Sequence, residues 1–127
     1  MAAVPAVEAD APERLGTAGR EFWRTATAST SWLATTDTPT LLLTAELIDR
    51  RAGFLAQLAE TGPVLHTEKG YAYANPLVAM ISALEKQLFA LLASLGYTPA
   101  DRSRLGVAEV KAKNAFEEML ARRQRWE

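Results

Sequence analysis

The chain has no cysteine and a single histidine, His66, among its 127 residues. Without cysteine there is no disulfide framework, no thiolate metal site and no thiol catalysis. With one histidine, a conventional zinc site lacks ligands. The G-x-x-x-x-G-K-[ST] and G-x-G-x-x-G loops that cradle phosphates are absent, as is the G-x-S-x-G nucleophile elbow. Carboxylate pairs such as Glu117-Glu118 and Glu46/Asp49 sit where solvated helix faces place acids, and serine and threonine cluster at helix ends and in loops, where capping explains them. No catalytic, cofactor-binding or metal-ligating residue is expected, and the protein is not read as an enzyme. The longest charge-free stretch is 15 residues, 70–84, and Asn75-Pro76 interrupts it, so no membrane span is expected. The opening MAAVPAVEADAPERLG has neither a basic start nor a long apolar segment, so a cytoplasmic location is expected.

What is present is the balance of a globular domain: 49% apolar and 23% charged residues. The length suits one domain. Residues 1–11 read as a disordered tail and 12–127 as a single helical domain. Within it, 12–96 would hold the core and the oligomerisation surface, and 98–127 a basic C-terminal segment.

Four of the six prolines stand where helices could begin, in Ala11-Pro12, Thr38-Pro39, Asn75-Pro76 and Thr98-Pro99. Proline is preorganised for the first helical position, and Thr38, Asn75 and Thr98 are good N-caps. Helical periodicity follows each start. The stripes are Leu15, Ala18, Phe22, Ala26 and Leu33, then Leu41, Ala45, Ile48, Ala52, Leu55 and Leu58, then Leu77, Met80, Ile81, Leu84, Leu88, Leu91, Leu92 and Leu95. Gly62 and Gly96 read as stops. The predicted architecture is all-α, with four main helices near 12–30, 39–60, 76–95 and 107–125. A small β-hairpin at 64–74, turning at Glu68-Lys69-Gly70, falls between helices two and three. The third helix is apolar on more than one face and needs more cover than a small domain offers, which predicts subunit contacts. Trp23, Trp32 and Trp126 read as core or interface residues.

Charge is balanced overall, with 14 basic and 15 acidic side chains, but unevenly spread. Residues 1–98 carry 7 basic and 10 acidic side chains, whereas 102–125 carry 7 basic and 3 acidic. The basic set is Arg102, Arg104, Lys111, Lys113, Arg122, Arg123 and Arg125, candidates for neutralising phosphates. A rival set, Arg14, Arg20 and Arg24, lies on the first helix. Both sets also have a plain structural reading, as a solvated helix face, as cations favouring a helix C-terminus or as partners for acids.

Several segments together are familiar: residues 15–23 (LGTAGREFW), Gly62-Pro63-Val64, Asn75-Pro76-Leu77 and residues 95–106 (LGYTPADRSRLG). In order and spacing the chain resembles the small terminase subunit of tailed double-stranded DNA bacteriophages, in a branch frequent among actinobacterial phages. The L-G-x-T-P-x-x-R-x-R-L-G stretch is the most specific part. The resemblance implies a non-catalytic component of the viral genome-packaging motor. Its partners would be double-stranded viral DNA, the large terminase subunit that carries the ATPase and nuclease, and further copies of itself in a ring. It would act in the host cytoplasm. The alternative is a helical protein–protein adaptor that does not bind DNA.

Overall fold

The computed structural model describes residues 7–104 and 116–123. In order these are α1 (Thr17–Ser29), a 3-10 turn (Thr35–Asp37), α2 (Thr38–Thr61), β1 (Val64–His66), β2 (Ala72–Ala74), α3 (Pro76–Ser94) and α4 (Pro99–Arg104). Residues 116–123 form a further helical stretch, α5. The all-α class and the hairpin between the second and third long helices are as predicted; residues 107–115, 124 and 125 of the predicted last helix lie outside the described residues.

Two helix starts differ from the sequence reading. The first helix begins at Thr17, not at Pro12. Pro12 opens a turn instead, closed by the Leu15 amide on the Pro12 carbonyl at 3.2 Å. The second difference is at Thr38, which is the first residue of α2 rather than its cap. The 3-10 turn delivers the chain already helical into α2, and Asp37 spends its carboxylate on the Ala34 amide at 2.8 Å.

The other starts follow the capping rules. Asn75 accepts the Leu77 amide at 3.0 Å and donates its side-chain amide to Thr61 Oγ1 and the Gly62 carbonyl, both at 2.9 Å. One buried side chain thus ties the end of α2, the base of the hairpin and the start of α3. Thr98 and Asp101 exchange side-chain and backbone contacts at the start of α4, with the Asp101 amide 3.1 Å from Thr98 Oγ1. At the end of α3, Gly96 takes φ +84°. There the Tyr97 amide reaches the Leu92 carbonyl and the Gly96 amide the Ala93 carbonyl, both at 3.0 Å. This is the Schellman arrangement, which satisfies carbonyls that a helix end otherwise leaves open.

α2 and α3 run antiparallel, joined by the hairpin, whose register is Val64↔Ala74, Leu65↔Tyr73 and His66↔Ala72. α2 has 24 residues, about 36 Å of helix at 1.5 Å per residue. α1 packs on its first half only. There Trp23, Ala26, Leu41, Ala45 and Leu95 make the main core, with Trp32 and Tyr97 at its edge. A smaller core further along joins Leu47, Leu84 and Leu88, flanked by Ile48, Phe54 and Leu91. Residues 7–11 do not trail free of this body: Val7 and Ala11 pack on the main core, and the Trp23 indole N–H donates to the Glu8 carbonyl at 3.0 Å.

α1 has no capping side chain of its own, because Gly16 occupies the cap position. The Asp49 carboxylate of α2 substitutes, accepting the Gly16 and Gly19 amides at 2.7 Å each. A β-carbon at Gly19 would stand 2.4 Å from Asp49 Oδ2 and 2.8 Å from the Ala45 carbonyl. Glycine is therefore required by the close approach of the two helices.

Two predictions follow from this packing. Gly19→Ala should lower stability by about 1–3 kcal/mol through overpacking, despite alanine's better helix propensity. Gly53→Ala, with nothing within 4 Å of the added carbon, should raise it by up to about 1 kcal/mol. Thermal melts of the two variants check the opposite signs. The second concerns Tyr97, which lies against Phe22 with ring centroids 5.9 Å apart. Its hydroxyl is buried and meets no partner among the described residues. Tyr97→Phe should be neutral or stabilising by up to about 1 kcal/mol. Burial also raises the phenol above its usual value. The neutral form is favoured in the fold, so the wild type should lose stability as pH rises above about 10, and Tyr97→Phe should blunt that loss in alkaline denaturation.

Candidate nucleic-acid interface

The ten basic candidates divide by what holds them. In the N-terminal set, every guanidinium has a partner within the chain. Arg14 pairs with Glu46 of α2 at 2.8 Å. Arg20 folds back along the entry to α1, donating from Nε to the Leu15 carbonyl at 2.8 Å and from Nη2 to the Glu13 carbonyl at 2.6 Å. Arg24 pairs with Glu21 one turn earlier. Its hydrogen bond to that carboxylate, reinforced by the opposite charge, raises the guanidinium above its usual value. Arg14 and Arg24 would have to exchange a carboxylate for a phosphate, whereas Arg20 bonds carbonyls and keeps its charge unneutralised. These are exposed pairs, so the exchange is inexpensive.

In the C-terminal set, Arg102 is the best-defined member. It donates from Nη1 to the Gly96 carbonyl at 3.1 Å, and its guanidinium carbon lies 5.4 Å from the centre of the Trp32 ring. Arg104 is the last residue of α4; its side chain, and Lys111, Lys113 and Arg125, lie outside the described residues. Arg122 and Arg123 lie exposed on α5. Arg122 stands 4.0 Å from Glu118 in an i, i+4 pair. Phe116, Met119 and Leu120 of α5 are also exposed, and their spacing puts them on one face.

Other surfaces are less suited to a polyanion. A cavity of about 560 Å³ beside the N-terminal segment is lined by Glu8, Asp10 and Glu13 over Trp23, with no basic side chain. His66 lies exposed on β1, and no cluster among the described residues could hold a metal ion. Two features escaped the sequence reading. One is the pairing of Arg51 with Glu85 at 3.2 Å across α2 and α3. The other is the clamp around Trp32, whose indole N–H donates to the Leu95 carbonyl at 2.7 Å from 63 positions away. Neither leaves a periodic or local signal.

The apolar surface is distributed as unevenly as the charge. Apart from Leu43 and the three α5 side chains, the exposed large hydrophobics among the described residues are Leu55, Val64, Tyr71, Tyr73, Val78, Met80 and Phe89. All seven lie on the distal α2, hairpin and α3. α3 is long and apolar enough to cross a membrane by length and composition, with a mean hydropathy of 1.5, and only 17% of that window is buried. The helix starts at Pro76 with Asn75 as its cap, so Asn75-Pro76 opens it rather than interrupting it. It carries Glu85 and Lys86 at mid-length and packs Ile81, Leu84 and Leu88 inward.

No curated protein and no solved structure matches the chain. Residues 19–112 match the family model described as phage terminase, small subunit. That match spans α1 to α4, including the α2–α3 pair and the Arg102 turn, and on it the chain belongs to the small-subunit family of phage terminases.

Proposed function

We propose that this protein is the DNA-recognition and regulatory component of a phage genome-packaging motor. In this reading it binds viral duplex DNA through its basic C-terminal segment, assembles into a closed homo-oligomeric ring, and controls the ATPase and nuclease of the large subunit in the host cytoplasm. It has no catalytic activity of its own. The family match over residues 19–112 carries the reading. The L-G-x-T-P-x-x-R-x-R-L-G stretch supports placing it in the branch frequent among actinobacterial phages.

Two physical observations support the finer parts. The basic side chains of 102–125 outnumber the acidic ones 7 to 3, on a chain of net charge −1. A ring would repeat that small excess in every subunit, so a patch weak in one copy becomes strong in the assembly. The uncovered α3 supports assembly itself. Its outward side carries Phe89, 67% exposed, and Val78, 43% exposed, the kind of apolar surface that subunit contacts cover. A head-to-tail interface that closes makes a ring. The adaptor reading draws on Phe116, Met119 and Leu120, an apolar face that fits a protein groove.

Salt and charge substitution separate the two readings. For DNA binding, removing Arg122, Arg123 and Arg125 together should shallow the plot of log affinity against log salt by about 0.9 per lost phosphate contact. Removing Arg20 and Arg24 should leave the slope unchanged. Weakening by the second set alone would move the interface to α1, and a chain that binds no duplex but holds a protein partner with an affinity indifferent to salt would favour the adaptor. Assembly has its own test. Phe89→Asp should reduce the particle mass in light scattering while circular dichroism stays helical, because the side chain is not part of the monomer core. A wild-type chain that is monomeric at working concentration contradicts the ring.

A further inference from the structure

Arg102 stands in the most family-like stretch of the chain, yet its side chain is turned onto the body. The guanidinium bonds the Gly96 carbonyl at 3.1 Å and stacks over Trp32 at 5.4 Å. Trp32 in turn donates to the Leu95 carbonyl at 2.7 Å. These contacts join three separate pieces: the link between α1 and α2, the end of α3, and α4. Trp32 also borders the main core, so the ring that receives the cation is itself held. α4 has only 6 residues, too few to be stable alone. This clamp ties it to the body, and Thr98 caps its start.

We infer that Arg102 is a positioning residue: by clamping α4 onto Trp32 it fixes the position and direction of the end of α4 at Arg104, from which the basic sequence continues, and it does not itself hold a phosphate. Arginine suits the task better than lysine. Its planar cation stacks on an indole face while an edge N–H bonds a carbonyl in the ring plane. The role also explains why an arginine is placed here although its charge is spent on a ring and a carbonyl. In sequence Arg102 is continuous with Arg104 and Lys111; in the fold its guanidinium is held by the body.

The inference rests on the reading of the C-terminal segment as the DNA-facing part, and two measurements keep the two claims apart. In hydrogen exchange on the full-length chain, Arg102→Met and Trp32→Leu should each speed the Arg102 and Ser103 amides by about tenfold. The double variant should fall well short of the product of the two single effects, since both remove the shared contact of cation and ring. Unchanged exchange in α4, or effects that multiply in the double variant, overturns the clamp. In duplex binding, both single variants should lower affinity severalfold with the salt slope unchanged, although only one of them removes a charge. A slope shallower by about 0.9 in Arg102→Met, with Trp32→Leu binding as the wild type does, makes Arg102 a phosphate contact and overturns the positioning role. If the wild-type chain binds no duplex, the DNA reading of the segment fails, and the exchange result still upholds or overturns the clamp.

Discussion

A carboxylate on one helix closes the end of another, and the body is arranged around that contact. Asp49 of α2 accepts the two amides at the start of α1. The negative charge sits at the positive end of the α1 dipole, and two otherwise open donors are satisfied. The geometry works because Gly16 and Gly19 present bare backbone to the carboxylate. With α1 pinned at Asp49, its next turns bring Trp23 and Ala26 against Leu41 and Ala45. The same pin sets where α1 stops covering α2. Beyond Asp49 no helix among the described residues continues the contact on that α2 face, and Ala52 and Leu55 of the sequence stripe are exposed. The body is compact at one end and open along an arm at the other for one reason.

That division explains which parts of the fold were legible in the sequence. Asn75 before Pro76, and Gly96 after the last leucine of α3, carry local chemistry that specifies a helix end without help from distant residues. Pro12 and Thr38 resemble them but sit where neighbouring segments decide the outcome: the chain from 12 to 16 turns so that Asp49 can cap at Gly16, and the 3-10 turn feeds α2 directly. The stripe on α2 was read as one face, whereas the helix uses two. Ala45 faces α1 and Leu47 faces α3, and a single period cannot report a helix gripped from both sides. The excess of apolar residues on α3 is visible in the sequence; which of them remain outside follows from the one face, Ile81, Leu84 and Leu88, that α3 buries.

The basic residues show the same limit. Sequence counted ten candidates by charge and position, but a charge says nothing of its partner. Arg14 meets Glu46, a contact between residues 32 positions apart, and Arg24 meets Glu21 within one helix. Only the second could have been read from i, i+3 spacing. Arg102 was grouped with the C-terminal set by proximity in sequence, while its ring partner Trp32 comes from the far side of α2 and α3. A linear count of charge does not show which cations on the body already hold a carboxylate, as Arg14 and Arg24 do.

On the proposed reading, this distribution has a mechanical sense. Arg14 and Arg51 pair with acids of α2 and α3 that a polyanion would have to displace, and the acidic Glu8, Asp10 and Glu13 repel it. Attraction is concentrated in the last quarter of the chain, after the Arg102 clamp. A subunit of net charge −1 then has no strong general affinity for nucleic acid, and its hold on DNA depends on how many basic segments engage at once. The uncovered arm bears on that number, since packing one subunit against the next through α3 also sets the spacing between successive basic segments. Cover for the apolar helix and multiplication of the basic patch would be two consequences of one assembly step. A free subunit would satisfy neither requirement, which ties DNA affinity to the assembled state rather than to the folding of the single chain.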